Sequence, residues 1–146
     1  MYGTAAGVAA LSAQWTNAGE FLDDDIYDPY TAATVPSLTQ VEAWLTQVSN
    51  SVDVHLQDEG FSVPIDVASV LSALSLLVEG IVKDLVDFSH GSGRFFTQQS
   101  IDSGLSPYMT IDKEISEWVK RQAVGFENAG VPKRKTARSL ATFEVL

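Results

Sequence analysis

The chain has 146 residues, 45% of them apolar and 19% charged, which suits one domain around a single core. It contains no cysteine, so disulfides, zinc–thiolate sites and thiol catalysis are excluded. The formal net charge of −10 argues against wrapping nucleic acid, because phosphate binding needs clustered cations.

The first residues, MYGTAAGVAALSAQW, lack a basic segment followed by a long apolar core, so no signal peptide is expected there. Thr4 is placed to cap a short helix through about Trp15, with Val8, Leu11 and Trp15 on one face; Gly7 weakens it. Residues 17–35 form a long acidic connection carrying Asp23, Asp24, Asp25 and Asp28, with aromatics at Phe21, Tyr27 and Tyr30. A connection of this length in a small domain is usually functional or mobile, and its aromatics predict packing on the core or on a neighbour.

Residues 36–64, PSLTQVEAWLTQVSNSVDVHLQDEGFSVP, carry the clearest signals. Ser37 with Gln40 has capping-box spacing, and Thr39 with Glu42 repeats it two residues later. Val41, Trp44, Leu45, Val48, Val52 and Leu56 recur as one helical stripe. Gly60 supplies a stop and Pro64 prevents resumption. Asp66 is then a good cap for a helix over residues 67–88, apolar nearly all round its first turns, with Leu74, Leu77 and Ile81 among its core or subunit-interface positions. This stretch also contains Glu79, Lys83 and Asp84, so a buried helix is expected rather than a membrane span.

Residues 94–109 read as a short helix and a loop. Ser106 or Thr110 starts the last helix, with Met109, Ile111, Ile115, Trp118, Val119 and Gln122 along one side, a weak point at Gly125 and a stop over Asn128 to Pro132. Residues 131–146 show no helical stripe. They begin with the basic cluster Lys133, Arg134, Lys135 and Arg138 and end apolar, with Phe143, Val145 and Leu146. Such a tail usually docks, and its aliphatic end favours a protein partner over nucleic acid. No Lys or Arg precedes Lys83, so the acidic first half and the basic tail suggest two different surfaces for two different neighbours.

Chemical sites are weakly signalled. Counted from Asp23, the sixth and twelfth positions of a calcium loop fall on Asp28 and Thr34 instead of glycine and glutamate, so a solvated acidic loop is expected and no metal. Neither His55 nor His90 has an i+4 partner ligand of the H-E-x-x-H kind, and Ser89-His90-Gly91-Ser92-Gly93 is neither a nucleophile elbow nor a phosphate loop. Trp15, Trp44 and Trp118 lie on apolar stripes, where core packing is the default and interface anchoring the second reading. The expected fold is all-α: a bundle of three to four main helices over residues 1–130, with a long acidic N-terminal loop and an extended arm over 131–146.

Val41-Glu42-Ala43-Trp44-Leu45, Val52-Asp53-Val54-His55-Leu56 and Gly60-Phe61-Ser62-Val63-Pro64 occur in an order that resembles the main helix of head-to-tail connector proteins of long-tailed bacteriophages, also called adaptors or head-completion proteins. The resemblance covers about residues 1–130, is strongest over 37–64, and does not extend to the long acidic connection. It implies a non-enzymatic virion protein without a cofactor, sitting in the neck between capsid portal and tail. Subunits of this kind form a ring, about twelvefold, beneath the portal, and a ring needs two unlike, complementary patches per subunit. The ring extends the DNA channel and presents a platform to the next neck or tail protein, a stopper or tail terminator. DNA passes without sequence-specific binding. By this resemblance the arm reaches the portal through Lys133, Arg134, Lys135, Arg138, Phe143 and Leu146. Trp44, Val48, Val52, Leu74, Leu77, Ile81 and Trp118 serve core or subunit interface, and Asp23, Asp24, Asp25 and Asp28 face the lumen or a neighbour. Three alternatives stay open: a monomeric acidic binding protein of the bacterial-immunity kind, a metal enzyme using the aspartates, and another neck or tail-completion role.

Overall fold

Every donor at the start of the second helix finds an acceptor, and this fixes where that helix begins. In the computed structural model, which describes residues 1–25, 27, 28, 30–95 and 106–134, α2 spans Leu38–Asp58. The Ser37 hydroxyl accepts from Gln40 N at 3.2 Å, Asp23 accepts from Thr39 N at 2.8 Å, and Leu22 O accepts from Leu38 N at 3.4 Å. Ser37 is therefore the cap, and Thr39 is already helical, its hydroxyl donating to Asp23 at 2.7 Å. At the other end Gly60 has φ of +90°, a conformation that glycine adopts without a Cβ penalty.

Four α-helices stand among the described residues, and the fold is all-α. α1 (Ala5–Leu11) is capped by Thr4, whose hydroxyl accepts from Gly7 N at 3.0 Å, and is followed by a 3-10 turn, Ala13–Trp15. α3 spans Ala68–Ser89 and α4 spans Pro107–Asn128. α2 is the central element and packs on α1, α3 and α4. Val41, Leu45, Val48, Val52 and Leu56 from α2 meet Leu74, Val78, Ile81, Val82 and Val86 from α3, and Ile111, Ile115 and Val119 from α4, in one buried cluster. Trp44, Leu77 and Trp118 lie half-buried at its margin.

Several boundaries differ from the sequence reading. α3 begins one residue later than expected, with Val67 at the cap position and no side-chain cap; Asp66 is exposed. Ile65 N is held by the Tyr2 hydroxyl at 3.0 Å, and Val67 O takes Val70 N and Leu71 N. Ser106, not Thr110, caps α4, with Pro107 at the first helical position, where its missing N–H costs nothing. Leu11 and Met109, expected on core faces, are exposed; they sit in the last turn of α1 and the first turn of α4. α4 stops at Asn128, where the sequence places its stop; Gly125 does not fray it, and the last turn buries Phe126 against Phe61 and Trp118, ring centroids 6.1 Å and 5.6 Å away. Most of the expected short helix in 94–109 lies outside the described residues.

The N-terminus is pinned to the middle of α2. Tyr2 N donates to the Ser49 hydroxyl at 2.9 Å, which returns a bond to Tyr2 O at 3.3 Å. The buried Tyr2 hydroxyl donates to Asp53 and accepts from Ile65 N. Burial first, and then the Asp53 bond, pushes this phenol well above its ordinary value of 10.0. The raised value means that the site's contribution is full below pH 10.0 and declines as pH rises past it. Tyr2→Phe leaves Ile65 N–H without an acceptor and should lower stability by about 2 kcal/mol. Urea denaturation of both proteins at pH 7 measures this, and the gap should narrow above pH 10.

Candidate functional site

The acidic connection is organised by its own carboxylates. Asp25 accepts from Tyr27 N at 2.8 Å and Asp28 from Tyr30 N at 3.0 Å, two Asx turns in succession. Asp28 also takes the Thr31 hydroxyl at 2.6 Å, and Asp24 takes Ala33 N at 2.9 Å. Leu22 and Thr34 close the base: Thr34 N donates to Leu22 O at 3.0 Å, and Leu22 N donates to the Thr34 hydroxyl at 2.8 Å. Asp23 clips the loop onto the first turn of α2, where a carboxylate also complements the helix dipole. Among the described residues none of these four aspartates is in an ion pair. Their partners are backbone N–H and hydroxyl groups, and no cluster of three or more His, Asp or Glu among the described residues is arranged to hold a metal ion.

Hydrogen bonds from Thr39, main chain first, hold the Asp23 carboxyl below its ordinary value of 3.8, and bonds from Thr31 and then Tyr30 do the same for Asp28. A depressed carboxylate contributes stability above the unfolded value and loses it as pH falls through the folded one. The loop should therefore loosen below pH 3.8, and Asp23→Ala should loosen it at neutral pH. Amide exchange reports both: faster exchange at Thr34 and Thr39 is expected, with α3 unchanged.

The loop's aromatics part company. Phe21 enters the core, whereas Tyr27 and Tyr30 are 90% and 96% exposed. Beside Phe21 lies a shallow apolar groove of about 290 Å³, lined by Ala5, Ala6, Ala9, Leu22 and Leu38, with Gly19 and the exposed Glu20 completing it.

The expected arm begins inside the fold. Val131 is buried, Phe61 and Lys133 pair in an antiparallel bridge, Ser62 N donates to Pro132 O at 2.8 Å, and Arg134 N donates to Gly60 O at 2.9 Å. Lys133 lies 3.2 Å from Glu127 and 5.4 Å from the centre of the Phe61 ring. Arg134 donates to Gln57 O at 3.4 Å. A second groove of about 380 Å³, lined by Pro64, Ile65, Gly130 and Pro132, adjoins this bridge. Lys135, Arg138, Phe143 and Leu146 lie outside the described residues. The aspartates thus gather at the N-terminal end of α2 and the basic segment starts at its C-terminal end, about 30 Å away for a 21-residue helix. Of the expected core or interface positions, Val48, Val52, Leu74 and Ile81 are buried within the single chain. Trp44, Leu77 and Trp118 keep a partly open edge.

The chain matches no family model, no curated protein and no solved structure. Two further clusters escaped the sequence reading. Trp15 stacks on His90 with centroids 3.6 Å apart and planes 4° apart, and its Nε1 donates to buried Asp87 at 3.3 Å. Lys83 pairs with the same carboxylate, a bond that raises its own pKa, and His90 Nε2 donates to Val35 O at the end of the acidic connection. His55 donates to Asp112 at 2.8 Å and tethers α2 to α4. The only sequence cue was the (i, i+4) spacing of Lys83 and Asp87. Both histidines tie elements together, and among the described residues no helix is long and apolar enough to cross a membrane.

Proposed function

We propose that this protein is a non-enzymatic structural subunit of a tailed-phage neck, forming a ring that joins the portal to the next neck or tail protein. The observation that carries the reading is the placement of unlike charge along α2: at one end loop aspartates that are in no ion pair among the described residues, and at the other, past Asp58 and Glu59, the start of a segment with Lys133, Arg134, Lys135 and Arg138 in its sequence. A subunit with two unlike, complementary patches associates head to tail, and such contacts close into rings when the rotation permits. The resemblance of the 37–64 segment to head-to-tail connectors supports the same assembly and suggests about twelve subunits. Other carboxylates of the acidic first half, turned to the lumen, would repel DNA and leave it mobile, with no sequence-specific contact. The virion neck is the proposed location. Electron microscopy of the protein mixed with isolated portal rings tests this: coaxially stacked rings are expected, and bare portals would refute it.

One observation favours a second reading, a small acidic binding protein of the immunity kind. Tyr27 and Tyr30 project from a carboxylate-rich loop, and exposed tyrosines are common anchors at protein interfaces. A protein of this kind works as a monomer on a basic partner, so its mass in solution separates the two readings.

A further inference from the structure

The groove of Ala5, Ala6, Ala9, Phe21, Leu22 and Leu38 is apolar, open and bordered by negative charge: Glu20 lines it, and Asp23 is bonded to Thr39, next to Leu38. The tail has the matching order of chemistry. Its basic stretch, Lys133, Arg134, Lys135 and Arg138, precedes an apolar one, Leu140-Ala141-Thr142-Phe143-Glu144-Val145-Leu146. We propose that residues 140–146 of one copy of this chain occupy this groove on the neighbouring copy, with the basic stretch lying along the neighbour's acidic loop. The proposal deepens the ring reading and rests on it. It gives the arm to the neighbouring subunit, where the family resemblance gives it to the portal.

Reach decides between a neighbour's groove and the chain's own. Arg134 is held beside Gly60, just past the C-terminal end of α2, whereas Leu38 marks the other end. The six residues from Arg134 to Leu140 span at most about 20 Å when fully extended, against about 30 Å for the length of α2. Leu140 therefore falls short of its own groove, which only the residues from about Phe143 onward could touch with the tail pulled straight; the whole 140–146 stretch can be seated only on a neighbouring copy. Charge fits as well. Lys133 is paired with Glu127 and Arg134 bonds to Gln57 O, and among the described residues none of the loop aspartates is in an ion pair. Apolar contact in the groove would be weak alone; attraction between loop and tail would orient it and make it sensitive to salt.

The absence of native cysteine makes a direct test available on the full-length chain. Ala6 is exposed, so Ala6→Cys should fold normally. One preparation carries Ala6→Cys and another Phe143→Cys; they are mixed under mild oxidation, with sedimentation velocity run in parallel. The expected result is a disulfide joining one chain of each kind, formed severalfold more slowly in 1 M salt or when Glu20→Lys is added to the first chain. A chain carrying both cysteines that closes on itself as a monomer would overturn the proposal in favour of the chain's own groove. Self-association without the mixed disulfide would overturn it and leave the ring reading standing. Absence of self-association, with and without portal rings, would overturn both. If deletion of 140–146 abolishes portal binding while the mixed disulfide never forms, the arm belongs to the portal and the proposal fails.

Discussion

Replacing Asp87 by alanine should cost about 3 kcal/mol and lower Tm by roughly 10 °C. Asp87 is one of the few buried polar side chains, at 5% exposure, and it joins three parts of the molecule. It neutralises Lys83 on its own helix, accepts from Trp15 Nε1 in the 3-10 turn, and offers its main-chain oxygen to Ser92 N at 3.0 Å past the helix end. Loss of the carboxylate leaves the indole N–H without its acceptor and frees the Trp15–His90 stack, which in turn holds Val35. Thermal unfolding measures the stability, and a change in tryptophan fluorescence before the main transition reports release of the turn. Asp87→Asn keeps an acceptor without the charge and should cost about half as much. An alanine variant as stable as the parent would mean that the link from α3 to the first turn is unimportant.

The second large effect concerns where the arm can be cut. Deletion of residues 135–146 should leave the folded body at its original stability. Deletion of 131–146 should remove about 3 to 5 kcal/mol, because it strips buried Val131 and two main-chain bonds that join Pro132 and Arg134 to the 60–62 segment. It also uncovers Phe61, fully buried in the intact chain and packed on Phe126. Chemical denaturation of the two truncations beside the full chain checks the difference. The body therefore extends past the boundary at 130 that the sequence suggested, so assembly assays need the shorter deletion. Equal stability of the two truncations would show that the bridge between Phe61 and Lys133 adds nothing.

The helices were legible because their signals are local. Ser37 and Thr4 as caps, Gly60 as a stop, and the stripe from Val41 to Leu56 all act within a few residues of one another. The acidic loop was legible as acidic but not as ordered. Its aspartates bind backbone N–H groups of Tyr27, Tyr30, Ala33 and Thr39, and every residue but proline offers such a donor, so no side chain advertises the partner. Tyr2 was missed for a related reason: its partners Ser49, Asp53 and Ile65 are dozens of residues away. Phe126 was hidden behind Gly125, where helix propensity points one way and burial against Phe61 and Trp118 decides the other. The groove could not be read at all, since α1, the loop base and α2 each supply only part of its wall. Separation of charge between first half and tail was visible in the sequence; that the aspartate loop and the start of the tail at Lys133 and Arg134 lie at opposite ends of α2 emerges only from the fold.

The most direct test of the connector reading is the mass of the purified protein by light scattering, alone and after mixing with isolated portal rings. The reading predicts a portal complex heavier by a ring of this subunit, whether or not the free protein assembles, with attachment weakened as salt rises. A protein that stays strictly monomeric and leaves the portal mass unchanged would contradict it and favour the monomeric binding protein.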